Sequence, residues 1–261
     1  MSSLPIGWKL TLAKLLCHPT VGNIIAGFFG AHIPSRGGRL FVDTTYVQSQ
    51  TIAGIFWRIH ERSEALLIDK YLNRALDVIE LGSSLGTISL QILHLQQHSR
   101  RLVCVEANPH LANMLKQTMA SENTDRVFVL NRAISRGKEP FVLFEIDDSH
   151  LGSHLALQPS QSSIHVPTIG LHEILADFGI GDYVLVSDIE GAEAAVLLDE
   201  VDTLSRCQQL IIELHDVTLE GRFYSVEQLR SIILDELGFD QLARRNNVFV
   251  FGKRVGHQDS G

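Results

Sequence analysis

Val78-Ile79-Glu80-Leu81-Gly82-Ser83-Ser84-Leu85-Gly86 is an apolar run that ends on an acid and then turns on two glycines. The run reads as a buried β-strand, and the turn as a strand-to-helix junction where the backbone can approach a ligand, because Gly82 and Gly86 lack a Cβ. Twenty residues beyond Gly86, a second apolar strand, Leu102 to Val105, ends on Glu106. A carboxylate at that strand end can accept two hydrogen bonds from a ribose diol. The glycine spacing is G-x-x-x-G rather than G-x-G-x-x-G, so no tight pyrophosphate turn is encoded. A nicotinamide dinucleotide is therefore disfavoured, and S-adenosylmethionine (SAM) is the expected ligand.

Outward from this stretch, strands and helices alternate as a doubly wound parallel sheet requires. Strands are expected at 75–79, 102–105, 127–130, 183–187 and 209–214, with a final pair at 241–244 and 248–252 across Arg245-Asn246-Asn247. Helices fit 86–97, 109–122, 171–178, 193–204 and 226–237. The expected architecture is a Rossmann-like, doubly wound α/β fold. Its seven-stranded, mostly parallel sheet takes the order 3-2-1-4-5-7-6, with the last strand antiparallel. Residues 51–261 make up this domain and residues 1–50 an N-terminal helical cap. The stretch from Ser135 to Val166 is the least regular and reads as a lid or substrate loop containing a hairpin.

Composition sets bounds. The chain has 261 residues, 45% of them apolar, enough for one α/β domain with an extension. The net charge of −8 and the lack of a basic tract argue against nucleic acid as a partner. Cys17, Cys104 and Cys207 are scattered without metal-ligand spacing, and a reducing, cytoplasmic compartment is the default. Between Lys14 and Arg36 no charged residue occurs, which raises the question of membrane contact through residues 15–33. His18, Pro19, Asn23 and three glycines interrupt the segment, so short helices packed over the domain are favoured, with Ile24, Ile25, Phe28 and Phe29 as their apolar face. The same apolar helix would suit a homodimer contact.

A third signal is Tyr183-Val184-Leu185-Val186-Ser187-Asp188-Ile189-Glu190-Gly191-Ala192-Glu193. A buried strand delivers Asp188 and Glu190 at its carboxyl end, where open α/β sheets bind ligands. Glu193 is expected to serve as a charge at a helix N-terminus. The next strand ends in Glu213-Leu214-His215, and period-two alternation puts Glu213 and His215 on one face.

Taken together, these segments resemble the FkbM family of SAM-dependent O-methyltransferases over roughly residues 40–252. The segments that carry the likeness are Glu80-Leu81-Gly82-Ser83-Ser84-Leu85-Gly86, Val105-Glu106-Ala107-Asn108-Pro109, Ser187-Asp188-Ile189-Glu190-Gly191-Ala192-Glu193 and Glu213-Leu214-His215. Upstream, residues 56–64 are similar to the family's leading helix, where a glutamate sits near the cofactor; here Glu61 is the candidate. Two departures stand out. Ser84 replaces the family's Asn, and Ser187 replaces its Lys beside the acid.

The resemblance implies the class I methyltransferase form of the Rossmann-like fold, and methyl transfer from SAM to a hydroxyl of a sugar, glycan or hydroxylated natural product. Glu106 and Ala107 are then assigned to the ribose, and Glu80, Gly82, Ser83, Ser84 and Gly86 to the methionine and ribose portion. Arg132 and Ala133 line the adenine side. Asp188, Glu213 and His215 are the candidate catalytic residues, orienting the acceptor hydroxyl or taking its proton. A metal-assisted variant makes Asp188, Glu190 and Glu213, with His215, ligands of Mg²⁺. The alternatives are a SAM- or sugar-binding module without catalysis, suggested by Ser187, and a membrane-associated scaffold.

Overall fold

Seven strands form the central sheet: β1 (Asp77–Leu81), β2 (Leu102–Val105), β3 (Val127–Leu130), β4 (Tyr183–Ser187), β5 (Cys207–Glu213), β6 (Phe239–Arg245) and β7 (Val248–Lys253). Their order is 3-2-1-4-5-7-6, as the sequence leads one to expect. Strands β1 to β5 are parallel, whereas β7 runs antiparallel to β5 and to β6. The protein is described by a computed structural model covering residues 6–135, 139–145, 154–155, 163–189 and 191–254. This is the Rossmann-like class I methyltransferase architecture.

The apolar strands are unbroken because both faces of the sheet are covered. All five residues of β1 and of β4 are buried. On one face, Val78, Leu102, Cys104, Val184, Val186 and Ile211 join a core with Leu85, Leu90 and Leu115. On the other, Ile79, Val103, Leu185, Ile212 and Phe249 join Leu171, Leu197 and Leu229. Successive residues thus alternate between two cores, as a period of two demands.

Ten α-helical segments are present among the described residues. Those before the sheet are α1 (Ile6–Leu16), α2 (Pro19–Phe29), α3 (Ser49–Phe56) and α4 (Arg62–Tyr71). Between and after its strands come α5 (Thr87–Leu95), α6 (Pro109–Ser121), α7 (Leu171–Asp177), α8 (Glu193–Asp199), α9 (Val201–Leu204) and α10 (Val226–Ser231). The helix expected over 193–204 is broken at Glu200, whose buried carboxylate accepts the Leu171 N–H at 3.0 Å and the Thr203 hydroxyl at 2.8 Å. The helix expected over 226–237 ends in a π-helical turn, Ile232–Glu236.

The N-terminal segment shares the main core. Ile25, Ile33, Leu40, Val42, Val47 and Ile52 belong to the same cluster as Val78. α2 rests on α3 at Gly22, where a Cβ would come 1.8 Å from the Ser49 carbonyl oxygen. The expected apolar face of α2 divides: Ile25 and Phe29 pack inward, while Ile24 and Phe28, each about 100° round the helix axis from them, are exposed. No helix among the described residues is long and apolar enough to cross a membrane.

In the irregular stretch, Phe141–Glu145 pairs antiparallel with Ser163–Ile169, giving the hairpin that was expected there. The lid reading falls mostly on residues 146–153 and 156–162, outside or at the margin of what is described.

Candidate active site

The sheet reverses its winding direction between β1 and β4, and the crevice beyond their carboxyl ends is the expected ligand position. A cavity of about 290 Å³ lies there. Its wall includes Glu80, Gly82, Ser83, Ser84, Glu106, Ala107, Arg132, Ala133 and Asp188, together with His60, Glu61 and Glu64 from the start of α4. Of the residues assigned to SAM from the sequence, Gly86 is the one outside this lining.

The turn after β1 is held from both sides. The Gly82 and Ser83 N–H groups donate to the Val105 carbonyl at 2.9 and 3.2 Å, and the Asp188 N–H donates to the Leu81 carbonyl at 3.0 Å. Gly82 has φ +78, and a Cβ there would lie 1.8 Å from the Asp188 carbonyl oxygen. At Gly86 (φ +86) a Cβ would meet Leu115 of α6 at 2.4 Å. Both glycines therefore serve left-handed backbone and close packing within the protein, and Gly82 also lines the cavity. Ser84 also has positive φ, +48, which aims its N–H at Glu106.

Glu106 is buried, with Oε2 accepting the Ser84 N–H at 2.7 Å and Oε1 the Asn108 N–H at 2.8 Å. Burial raises its pKa to about 7, against the lowering effect of these backbone donors. Each carboxylate oxygen keeps a further lone pair, so two ribose hydroxyls can still be accepted. Glu80 is likewise buried and raised to about 7 by desolvation, although Ser89 Oγ donates to it at 2.5 Å.

The leading helix adds acids of its own. Glu64 is buried, and burial followed by the Glu61, Asp188, Glu80 and Glu213 carboxylates pushes its pKa well above the ordinary range. Burial disfavours charge on His60, yet the adjacent Glu61, 3.3 Å away, together with Asp188 raises its pKa. Glu61 Oε2 is buried with no hydrogen-bond partner among the described residues. Five acidic side chains share the wall with His60 and Arg132; burial holds Glu64, Glu80 and Glu106 toward the neutral form, and a bound cation would favour their ionisation.

Glu213 and His215 do not line the cavity. Instead, ligand-type atoms of Asp188, Glu193 and His215 lie within 4.8 Å of one another, with Glu193 Oε1 2.6 Å from His215 Nδ1. Glu190 lies outside the described residues. Mg²⁺ favours an octahedron of oxygens, whereas His215 Nδ1 is committed to a carboxylate here. The described residues do not fit that ion, and no metal enters the reaction proposed below. Ser187, where the family carries Lys, is 1% exposed and its hydroxyl has no partner among the described residues.

His60 and Glu64 line the cavity without having been assigned to it from the sequence, and Glu193, expected as a charge at a helix N-terminus, is paired with His215. Glu193 carried a usable signal: it shares a helix face with Val196 and Leu197, and all three are buried.

The family profile described as Methyltransferase FkbM domain matches residues 89–240. No curated protein matches the chain. Among solved structures, it is similar to ribosomal protein L11 methylase from Lactobacillus delbrueckii subsp. bulgaricus, at 15% identity and TM-score 0.41 over 74% of this chain and 78% of that one. It is also similar to magnesium protoporphyrin IX methyltransferase from Synechocystis PCC 6803 with bound SAM, at 9% identity and TM-score 0.42 over 98% and 100% of the two chains. Precorrin-6y C5,15-methyltransferase from Geobacter metallireducens matches at 11% identity and TM-score 0.42, over 85% and 99%.

Proposed function

The chain belongs to the FkbM methyltransferase family, and on that premise we propose that it methylates a hydroxyl of a sugar, glycan or hydroxylated natural product using SAM. The observation that carries this reading is Glu106: a buried carboxylate at the end of β2, fixed by Ser84 and Asn108, on the wall of an acid-rich cavity. Bound there, SAM would supply an electrophilic methyl on a sulfonium, which a hydroxyl oxygen captures as the C–S bonding pair returns to sulfur.

Each group on the wall has a part. Glu106 accepts the ribose hydroxyls. Glu61, with its buried Oε2, favours the positive charge of the amino and sulfonium groups, and that charge would in turn favour ionisation of Glu64, which burial and the neighbouring acids oppose. Ala133 and Ile134 give an apolar surface for the base, with Arg132 at its edge. Asp188, on the wall, accepts and orients the acceptor hydroxyl, and His215, outside the lining but within 4.8 Å of an Asp188 oxygen, takes its proton.

The test is release of S-adenosylhomocysteine from SAM in the presence of a panel of methyl glycosides and macrolactone alcohols. SAM binding without turnover on any acceptor would favour the non-catalytic module, to which Ser187 lends weight. A second reading rests on exposed Leu12, Leu15, Ile24 and Phe28 of α1 and α2, a surface suited to a membrane interface. Cosedimentation with liposomes that persists after deletion of residues 1–35 would sink it.

A further inference from the structure

Glu193 opens α8, and His215 lies two residues beyond β5, yet Glu193 Oε1 and His215 Nδ1 are 2.6 Å apart. Glu193 is 0% exposed, and its Oε2 is buried with no hydrogen-bond partner among the described residues. A carboxylate that served only the helix dipole would gain the same interaction while remaining in water. Burying it costs several kcal/mol unless it holds a donor or a charge. Its partner is an imidazole that is 29% exposed, so one member of the pair is sealed in the protein while the other is open to solvent and has a ring nitrogen within 4.8 Å of an oxygen of the cavity-lining Asp188.

We propose that Glu193 is the positioning residue of a Glu193–His215 dyad in which His215 is the general base of methyl transfer. This deepens the proposed function and rests on it. A carboxylate accepts and cannot donate, so Nδ1 carries the ring proton and Nε2 holds the basic lone pair. Asp188, which lines the cavity, has an oxygen within 4.8 Å of the dyad's polar atoms and links it to the acceptor position. In the reaction, the acceptor O–H proton passes to Nε2 while the O–H bonding pair stays on oxygen for the new O–C bond. The imidazolium so formed donates Nδ1–H to Glu193, and its Nε2 proton returns to water after the ether leaves. Among the described residues, Glu193 from α8 and Asp188 from the turn after β4 bring carboxylates to the ring, Glu213 ends the strand two residues before it, and His60 is within electrostatic range of Asp188. Glu64 of α4 lies within electrostatic range of Asp188 and Glu213.

Long-range ¹⁵N–¹H correlation spectra of the full chain test the dyad without an acceptor. The expected result is the Nδ1–H tautomer of His215 in the wild type. Glu193→Gln should give a tautomer mixture, and Glu193→Asp should restore the single form. An Nε2–H tautomer in the wild type would overturn the proposal, even if Glu193→Gln failed to fold. So would replacement of the Nδ1–H signal on adding Mg²⁺ alone, which would make the trio a cation site. With any acceptor that turns over, Glu193→Gln should lose at least tenfold in kcat with SAM affinity retained, and an unchanged kcat would count against the proposal. A wild type that has the expected tautomer but methylates no hydroxyl would defeat the proposed reaction while leaving the geometry of the pair intact.

Discussion

Glu106 Oε2 accepts the backbone N–H of Ser84 at 2.7 Å, which ties the end of β2 to the glycine turn after β1. Ser84 takes a left-handed conformation, φ +48, to make this bond. The acid assigned to the ribose and the turn assigned to the methionine are therefore one unit, and disturbing either should be felt by the other.

That unit should respond to pH. Glu80 and Glu106 both have pKa values raised from 4.5 to about 7 by burial. Between these values the native state holds more protons than the unfolded chain, so the contribution of both groups to stability falls as pH rises through the window and levels above about 7. Each contributes on the order of 3 kcal/mol to that fall. Glu106→Gln should therefore gain stability relative to the wild type between pH 5 and pH 8, measured by calorimetric melting. A constant difference across that range would contradict the burial argument.

SAM affinity should move the opposite way. Ribose hydroxyls donate, so they bind the ionised form of Glu106, and binding should tighten as pH rises through about 7. Titrations at pH 6 and pH 8 check this, and Glu106→Gln should flatten the dependence.

Gly82→Ala should be severe. The added methyl would lie 1.8 Å from the Asp188 carbonyl oxygen, at a residue with φ +78. Backbone on both sides leaves nothing flexible to yield, and a loss of about 3 kcal/mol is expected from overpacking and strain. Because Asp188 is the group displaced, SAM binding and acceptor chemistry should both suffer in any protein that folds.

Gly22→Ala offers the contrasting case. Its methyl would come 1.8 Å from the Ser49 carbonyl oxygen, forcing α2 away from α3. Melting should show a loss of about 1–3 kcal/mol, while SAM affinity in the folded protein stays within twofold. A large loss of affinity would mean that the N-terminal helices shape the cavity directly.

The sheet was legible in the sequence because parallel strands buried on both faces are continuous apolar runs, as in Tyr183–Ser187 and Leu102–Val105, and their bounds agree with the structure. Helix interruptions were less legible. The break at Glu200 depends on hydrogen bonds to Leu171 and Thr203, the first of them far away in sequence. In the site, strand-end acids announce themselves by position, so Glu106 and Asp188 could be named. Glu193 was legible as a buried position on its helix face but not as the partner of His215, because that pairing exists only once β4 and β5 are side by side. Glu61 was named on a resemblance, whereas its neighbours His60 and Glu64 reach the cavity because Glu61 turns the chain through φ +50 ahead of α4.

Calorimetric titration of SAM into the wild type and Glu106→Ala tests the central claim most directly. Binding in the micromolar range that weakens at least tenfold in the variant, a loss of about 1.4 kcal/mol, is the expected result. A folded wild type that gives no binding heat and no SAM-dependent rise in melting temperature would contradict it.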